Sequence, residues 1–87
     1  AMTHAAPLVA PTFSKAKLLG TNPIAVAIPA LEEPPFVLDM ATTTAAYGKL
    51  EILQRKGQPT PTGWVQNADG QPDTDAHAVK KGGALLP

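Results

Sequence analysis

The chain has 87 residues, with ten prolines, seven glycines and only four aromatic side chains, which puts it below the common domain size of ~100 to 150 residues and allows one small core at most. Seven basic and seven acidic side chains cancel to a formal net charge of zero, and no basic stripe suits nucleic acid or an anionic membrane. The lack of cysteine excludes disulfides, thiolate zinc sites and thiol nucleophiles, and accords with a reducing cytosol.

In chain order, Leu8 to Pro11 reads as a short extended piece and Phe13 to Leu19 as a connector bearing Lys15 and Lys17. Gly20-Thr21-Asn22-Pro23 is turn chemistry, because Pro23 fixes its own φ, biases Asn22 away from the helical region, and leaves the Asn22 side chain free to close an Asx-type turn. Ile24, Val26 and Ile28 alternate with Ala25 and Ala27, a period-two strand whose small reverse face predicts a close neighbour. Pro29 through Pro35, with Glu32 and Glu33, forms an exposed connection to Phe36-Val37-Leu38. The spacing predicts an antiparallel pair of strands, the second of them buried.

That second strand ends in Asp39 and passes through Met40, Ala41, Thr42, Thr43 and Thr44 into a helical pattern. A carboxylate accepts hydrogen bonds, threonine hydroxyls donate or accept, and the free N–H groups of a helix start favour an anion such as a pyrophosphate. The same pattern is ordinary grammar for a strand entering a threonine-capped helix, so these residues alone leave both readings open.

Ala45 to Lys56 is predicted helical, with Ala46, Leu50, Ile52 and Leu53 as its apolar stripe, Arg55 and Lys56 in the last turn and Gly57 as the stop. Gly48 inside it costs ~1 kcal/mol relative to alanine, which suggests close approach by a backbone or ligand. Gln58 to Asp75 has little periodicity and five chain-turning residues, namely Pro59, Pro61, Gly63, Gly70 and Pro72. So long an irregular excursion is expected to serve function or an interface. Trp64 within it suits a core plug, a stacking face or a subunit contact. Asp75 is placed to cap a short second helix from Ala76 to Lys81 that stops at Gly82-Gly83.

Several chemistries are missing from the letters. No G-x-G-x-x-G fingerprint, P-loop or nucleophile elbow occurs. Asn67, Asp69, Asp73 and Asp75 depart from calcium-loop spacing, and Ala78 stands where the bidentate glutamate would fall. The two imidazoles, His4 and His77, lack the carboxylate partners of a metal or base site. His77 reads as a surface residue, whereas His4, beside Thr3 ahead of a strand, is placed to face a ligand. No run approaches the ~20 apolar residues of a membrane span, and no signal-peptide pattern opens the chain, so a cytoplasmic protein without a metal is expected.

Taken together, Gly20-Thr21-Asn22-Pro23-Ile24-Ala25, Leu38-Asp39-Met40-Ala41-Thr42-Thr43, Gly48-Lys49, Gly63-Trp64, Asp69-Gly70-Gln71-Pro72 and Gly82-Gly83-Ala84-Leu85-Leu86-Pro87 resemble the malate/L-lactate dehydrogenase family. This non-Rossmann group of NAD(P)-dependent oxidoreductases also includes ureidoglycolate and sulfolactate dehydrogenases, diketogulonate reductase and piperideine-carboxylate reductase. The resemblance runs over essentially the whole chain and implies an α+β fold: a mainly antiparallel sheet, one principal helix and a short second helix. Residues 1–87 would then be an internal portion of a dinucleotide-binding domain.

The resemblance also implies a parent enzyme that moves a hydride between NAD or NADP and a small 2-hydroxy acid or its 2-oxo counterpart, acting as a homodimer. It makes Leu38, Asp39, Met40, Ala41, Thr42, Thr43 and Thr44 the cofactor-contacting segment, with Thr3 and His4 beside the nicotinamide or substrate. Relatives commonly carry asparagine where this chain has His4, and imidazole does not reproduce an amide's donor and acceptor pair. The family's proton-transferring histidine and substrate-binding arginine fall outside these residues, as does a glycine-rich, lysine-containing segment that follows the Leu-Leu-Pro stretch. No catalytic residue is therefore expected within the 87, which alone are expected to be inactive. The competing reading is a non-catalytic structural or interaction module.

Overall fold

A computed structural model describes residues 1–3 and 5–87, so the expectation placed on His4 lies outside the described residues. The elements run β1 (Ile24–Ile28), β2 (Phe36–Met40), α1 (Tyr47–Lys56), β3 (Val65–Gln66), β4 (Pro72–Asp73) and β5 (Ala84–Leu85). β1 and β2 form an antiparallel hairpin with Val26 opposite Leu38, and β3 lies between β4 and β5 in a small antiparallel sheet. The α+β class with antiparallel sheets agrees with expectation.

The core sits around the smaller sheet. Val9, Leu50, Val65, Ala78, Val79 and Leu85 are buried together, with Leu8, Tyr47 and Trp64 packed against them. The extended piece near Leu8 joins this sheet in parallel with β5, through Ala10 N–H to the Leu85 carbonyl at 3.1 Å and Leu85 N–H to the Leu8 carbonyl at 2.8 Å. Trp64 thus acts as a partial core plug, and the Lys49 ammonium lies 5.9 Å from its ring centroid. The irregular stretch after α1 is largely drawn into this sheet and its turns. Asn67 closes one by accepting from Asp69 N–H and Gln71 N–H.

Four local expectations change. The β2 strand is exposed, not buried: Phe36 is 56% and Val37 66% accessible, because among the described residues no layer covers the hairpin. The second short helix is a run of turns, in which Ala78 N–H bonds the Asp75 carbonyl and Lys81 N–H bonds the His77 and Ala78 carbonyls without a continuous ladder. The α1 helix starts at Tyr47, with Ala46 as an N-cap that makes no side-chain bond, so the threonines do not cap it. Gly48 faces open space rather than a close neighbour. The C-terminal end is as anticipated: Gly57 adopts φ 63°, and Gln58 N–H bonds the Leu53 carbonyl at 3.0 Å, a Schellman-type stop.

The molecule measures 50 × 28 × 19 Å with a radius of gyration of 15.2 Å, above the ~13 Å of a compact 100-residue domain. The hairpin and the sheet around Leu85 are joined through the bend at residues 42–45, which ties back to both.

Candidate functional site

The bend after β2 is held at both ends by threonines acting as donors. Thr42 N–H and Oγ1 donate to the Thr21 carbonyl at 2.9 and 3.0 Å. Thr44 N–H donates to the Leu86 carbonyl at 3.1 Å, and its Oγ1 to the Pro87 carbonyl at 2.9 Å. Between these anchors the Thr43 hydroxyl is buried with no hydrogen-bond partner among the described residues. A hydroxyl in that state, which the Thr60 hydroxyl shares, carries an unmet desolvation cost of about 1–3 kcal/mol.

Strand alternation places Asp39 opposite Ala25 and Val37 opposite Ala27 on one face of the hairpin. The other face carries Ile24, Val26, Ile28, Phe36, Leu38 and Met40 in facing pairs. Beside Asp39 lies a hollow of about 190 Å³ lined by Ala1, Met2, Thr3, Pro23, Ala25 and Asp39. A second, of about 320 Å³, is lined by Ala1, Ala25, Val26, Ala27, Val37, Leu38 and Asp39. The first residues of the chain reach this place by adding to the β1 edge: Ala25 N–H donates to the Ala1 carbonyl at 2.8 Å and Thr3 N–H to the Pro23 carbonyl at 3.3 Å.

The structure therefore brings Thr3 and Asp39 to one hollow, with Leu38 and Asp39 lining the next. Met40 ends β2 opposite Ile24 and is exposed, Ala41 is half-buried at the start of the bend, and Thr42 to Thr44 follow as described. The sequence reading passed over Pro23, Ala25 and Ala27 as site residues. Their signal was the small-residue alternation of β1, which marked a face open to close approach.

Among the described residues, the strongest electrostatic perturbation lies elsewhere. The Asp75 carboxyl is pulled down from 3.8 to about 2, chiefly by the hydrogen bond from the Lys81 ammonium at 2.7 Å and then by His77 N–H. That pairing closes the turns ahead of Gly82 and is read as structural, beside a hollow of about 250 Å³ at the end of α1. Among the described residues no group of three or more carboxylate, imidazole or thiol side chains is arranged to hold a metal ion, and no helix is long and apolar enough to cross a membrane.

Comparison with known proteins agrees with the motif reading. The family profile described as malate/L-lactate dehydrogenase matches residues 1–87. Malate dehydrogenase of Pyrococcus horikoshii is 51% identical over 86 residues, covering 99% of this chain and 24% of its own length. The crystal structure of Δ1-piperideine-2-carboxylate reductase from Pseudomonas syringae superposes with a TM-score of 0.87 at 38% identity, covering 99% of this chain and 26% of that one. Sulfolactate dehydrogenase from Methanocaldococcus jannaschii gives 0.84 at 41% identity, covering 99% and 24%. The chain thus spans about a quarter of the length of the relatives it matches.

Proposed function

This chain belongs to the malate/L-lactate dehydrogenase family, and from that premise we propose that residues 1–87 form the cofactor-holding portion of a longer NAD(P)-dependent oxidoreductase. The observation that carries this reading is the convergence of Thr3 and Asp39 on one hollow at the end of β2. A dinucleotide fits this donor and acceptor set. Asp39 accepts from hydroxyl or amide groups, Thr3 lies across the same hollow, and Leu38 lines the adjoining one. His4, next to Thr3 in the sequence, is proposed as a further member of the set.

The related dehydrogenases and reductase are named for malate, sulfolactate and piperideine-2-carboxylate. Malate and sulfolactate are 2-hydroxy acids, and the third is a cyclic imine that also carries its carboxylate next to the reacting carbon. The proposed reaction is hydride transfer between the nicotinamide and that carbon, with a proton moving to or from its oxygen or nitrogen. The cofactor supplies the hydride chemistry, while this chain supplies position and charge. Asp39 is a positioning group in this scheme, and the proton-transferring group belongs to another part of the polypeptide. A cytoplasmic homodimer is the proposed form, which would also give the exposed hairpin neighbours to pack against.

The test is a fluorescence titration of NADH and NADPH against the family-length protein. Binding of either, weakened about tenfold by Asp39→Ala through loss of a charge-assisted hydrogen bond, is expected. No binding of either nucleotide would overturn the reading.

A further inference from the structure

Phe13 sits where neither its backbone nor its ring is at ease. Ser14 N–H donates to the Pro11 carbonyl at 2.9 Å and closes a tight turn in which Phe13, third in order, is held at φ 66°. That place in a turn favours glycine, and a bulky side chain is an outlier there. The phenyl ring is also fully exposed, so burial among the described residues does not offset the strain. The turn is nonetheless firmly mounted. The buried Gln66 side chain donates from Nε2 to the Ser14 carbonyl at 2.9 Å, and Ala16 N–H donates to the Ser14 Oγ at 3.1 Å.

A second turn lies against the first. Gly70 N–H donates to the Asn67 carbonyl at 3.0 Å, and a Cβ on Gly70 would stand 3.0 Å from that of Lys15, so glycine lets the two turns touch. Together they frame a hollow of about 430 Å³ lined by Phe13, Ser14, Lys15, Gln66, Asp69 and Gly70. We propose that this two-turn surface docks a second copy of the chain about a twofold axis, with Phe13 of each copy seated in the hollow of the other.

Charge names the partner. Lys15 and Asp69 line the same hollow, and among the described residues neither side chain forms an ion pair. About a twofold axis each contact occurs twice with the roles exchanged, so Lys15 of one copy faces Asp69 of the other and the surface is its own complement. A partner of a single charge sign would instead leave one of these two groups opposed. A buried aromatic anchor with a polar rim is the usual makeup of a contact centre, and a ring on a rigid turn has little freedom to lose on docking. The strain at Phe13 is then kept because it presents the ring outward. The proposal rests on the homodimer proposed above for its second copy, and not on the cofactor reading.

The experiment is sedimentation velocity over a concentration series on the family-length protein and its variants Phe13→Gly, Lys15→Asp, Asp69→Lys and the double exchange. Phe13→Gly is expected to weaken association about tenfold or more. Its melting temperature, read at a dilution where the protein is monomeric, should hold or rise, because glycine relieves the left-handed φ. Each single charge reversal should also weaken association, and the double exchange should restore it. A wild-type dimer that Phe13→Gly leaves as tight overturns the proposal while the homodimer stands, and so does a double exchange as weak as the single reversals. A lower monomer melting temperature for Phe13→Gly overturns it as well, since another part of the same polypeptide would then cover the ring. If the wild-type protein is monomeric throughout, this proposal and the homodimer fall together.

Discussion

At the residue scale, two glycines that look alike in the sequence have opposite meanings. Gly48 lies within α1 and a Cβ there would meet nothing within 4 Å, so Gly48→Ala should raise stability by about 1 kcal/mol through helix propensity alone. Gly83 sits against the backbone carbonyls of Gln66 and Ala78, and its N–H donates to the latter at 2.8 Å. A methyl group at Gly83 collides with fixed backbone, and Gly83→Ala should cost about 1–3 kcal/mol. Urea unfolding of the two variants checks both signs at once. The letters place Gly48 within a helical pattern, as in α1, but proximity is a tertiary quantity that no pattern reports. Asp39 makes the same point from the other side: its place at the end of an apolar run was visible, whereas its opposition to Ala25 and its meeting with Thr3 depended on hairpin register and on where residues 1–3 pair.

At the element scale, α1 owes its place to Leu50, which is fully buried against Val9, Val65 and Leu85. Leu50→Ala should destabilise the chain by about 2–5 kcal/mol, while Ile52→Ala on the exposed side should change little. Thermal melting of the pair distinguishes the two faces. The apolar stripe read from the sequence included Ile52, which is half-exposed, and left out Tyr47, which packs on the core. Only the docking angle of the helix decides between such flanking positions.

The turns from Ala76 to Gly82 depend on Asp75. Its carboxyl is depressed from 3.8 to about 2, so its stabilising effect is complete above the ordinary value and is lost as the pH falls through about 2. The pair is solvent-accessible, which limits the effect to about 1 kcal/mol or less. The stability difference between wild type and Asp75→Asn, measured in urea from pH 5 down to pH 2, should shrink toward zero at the acid end. A difference that grew with acid would contradict the pairing.

At the scale of the whole molecule, the hairpin is the unbalanced part. Ile24, Val26, Ile28, Phe36 and Met40 are exposed on one face of the hairpin and Val37 on the other, and β2 pairs only with β1 among the described residues. An open, apolar strand edge invites pairing with another chain. Residues 1–87 alone should therefore self-associate with rising concentration in sedimentation velocity, and Phe36→Lys should suppress this without altering the core around Leu50. A wild-type chain that stays monomeric across the series would count against the exposed hairpin as an interface.

Much was legible from the letters. The alternation of β1, the proline-bounded connection, the Gly57 stop and the order of motifs were enough for an α+β reading, an antiparallel hairpin and the family, because periodicity, caps and turn chemistry are local and short-ranged. The same local patterns point to a buried β2, a threonine cap and a second helix, none of which the structure forms. Each depends on what lies across space: among the described residues β2 has no covering layer, Thr42 and Thr44 spend their hydroxyls on the carbonyls of Thr21 and Pro87, and the turns after Asp75 are pulled in by Gly83 and Lys81. The sequence by itself determined that β1 and β2 pair as a hairpin and where helix α1 ends. Tertiary structure alone decided that Thr3 and Asp39 share a hollow with Pro23 and Ala25, since hydrogen bonds and apolar contacts between distant segments set that meeting and leave no trace in local pattern.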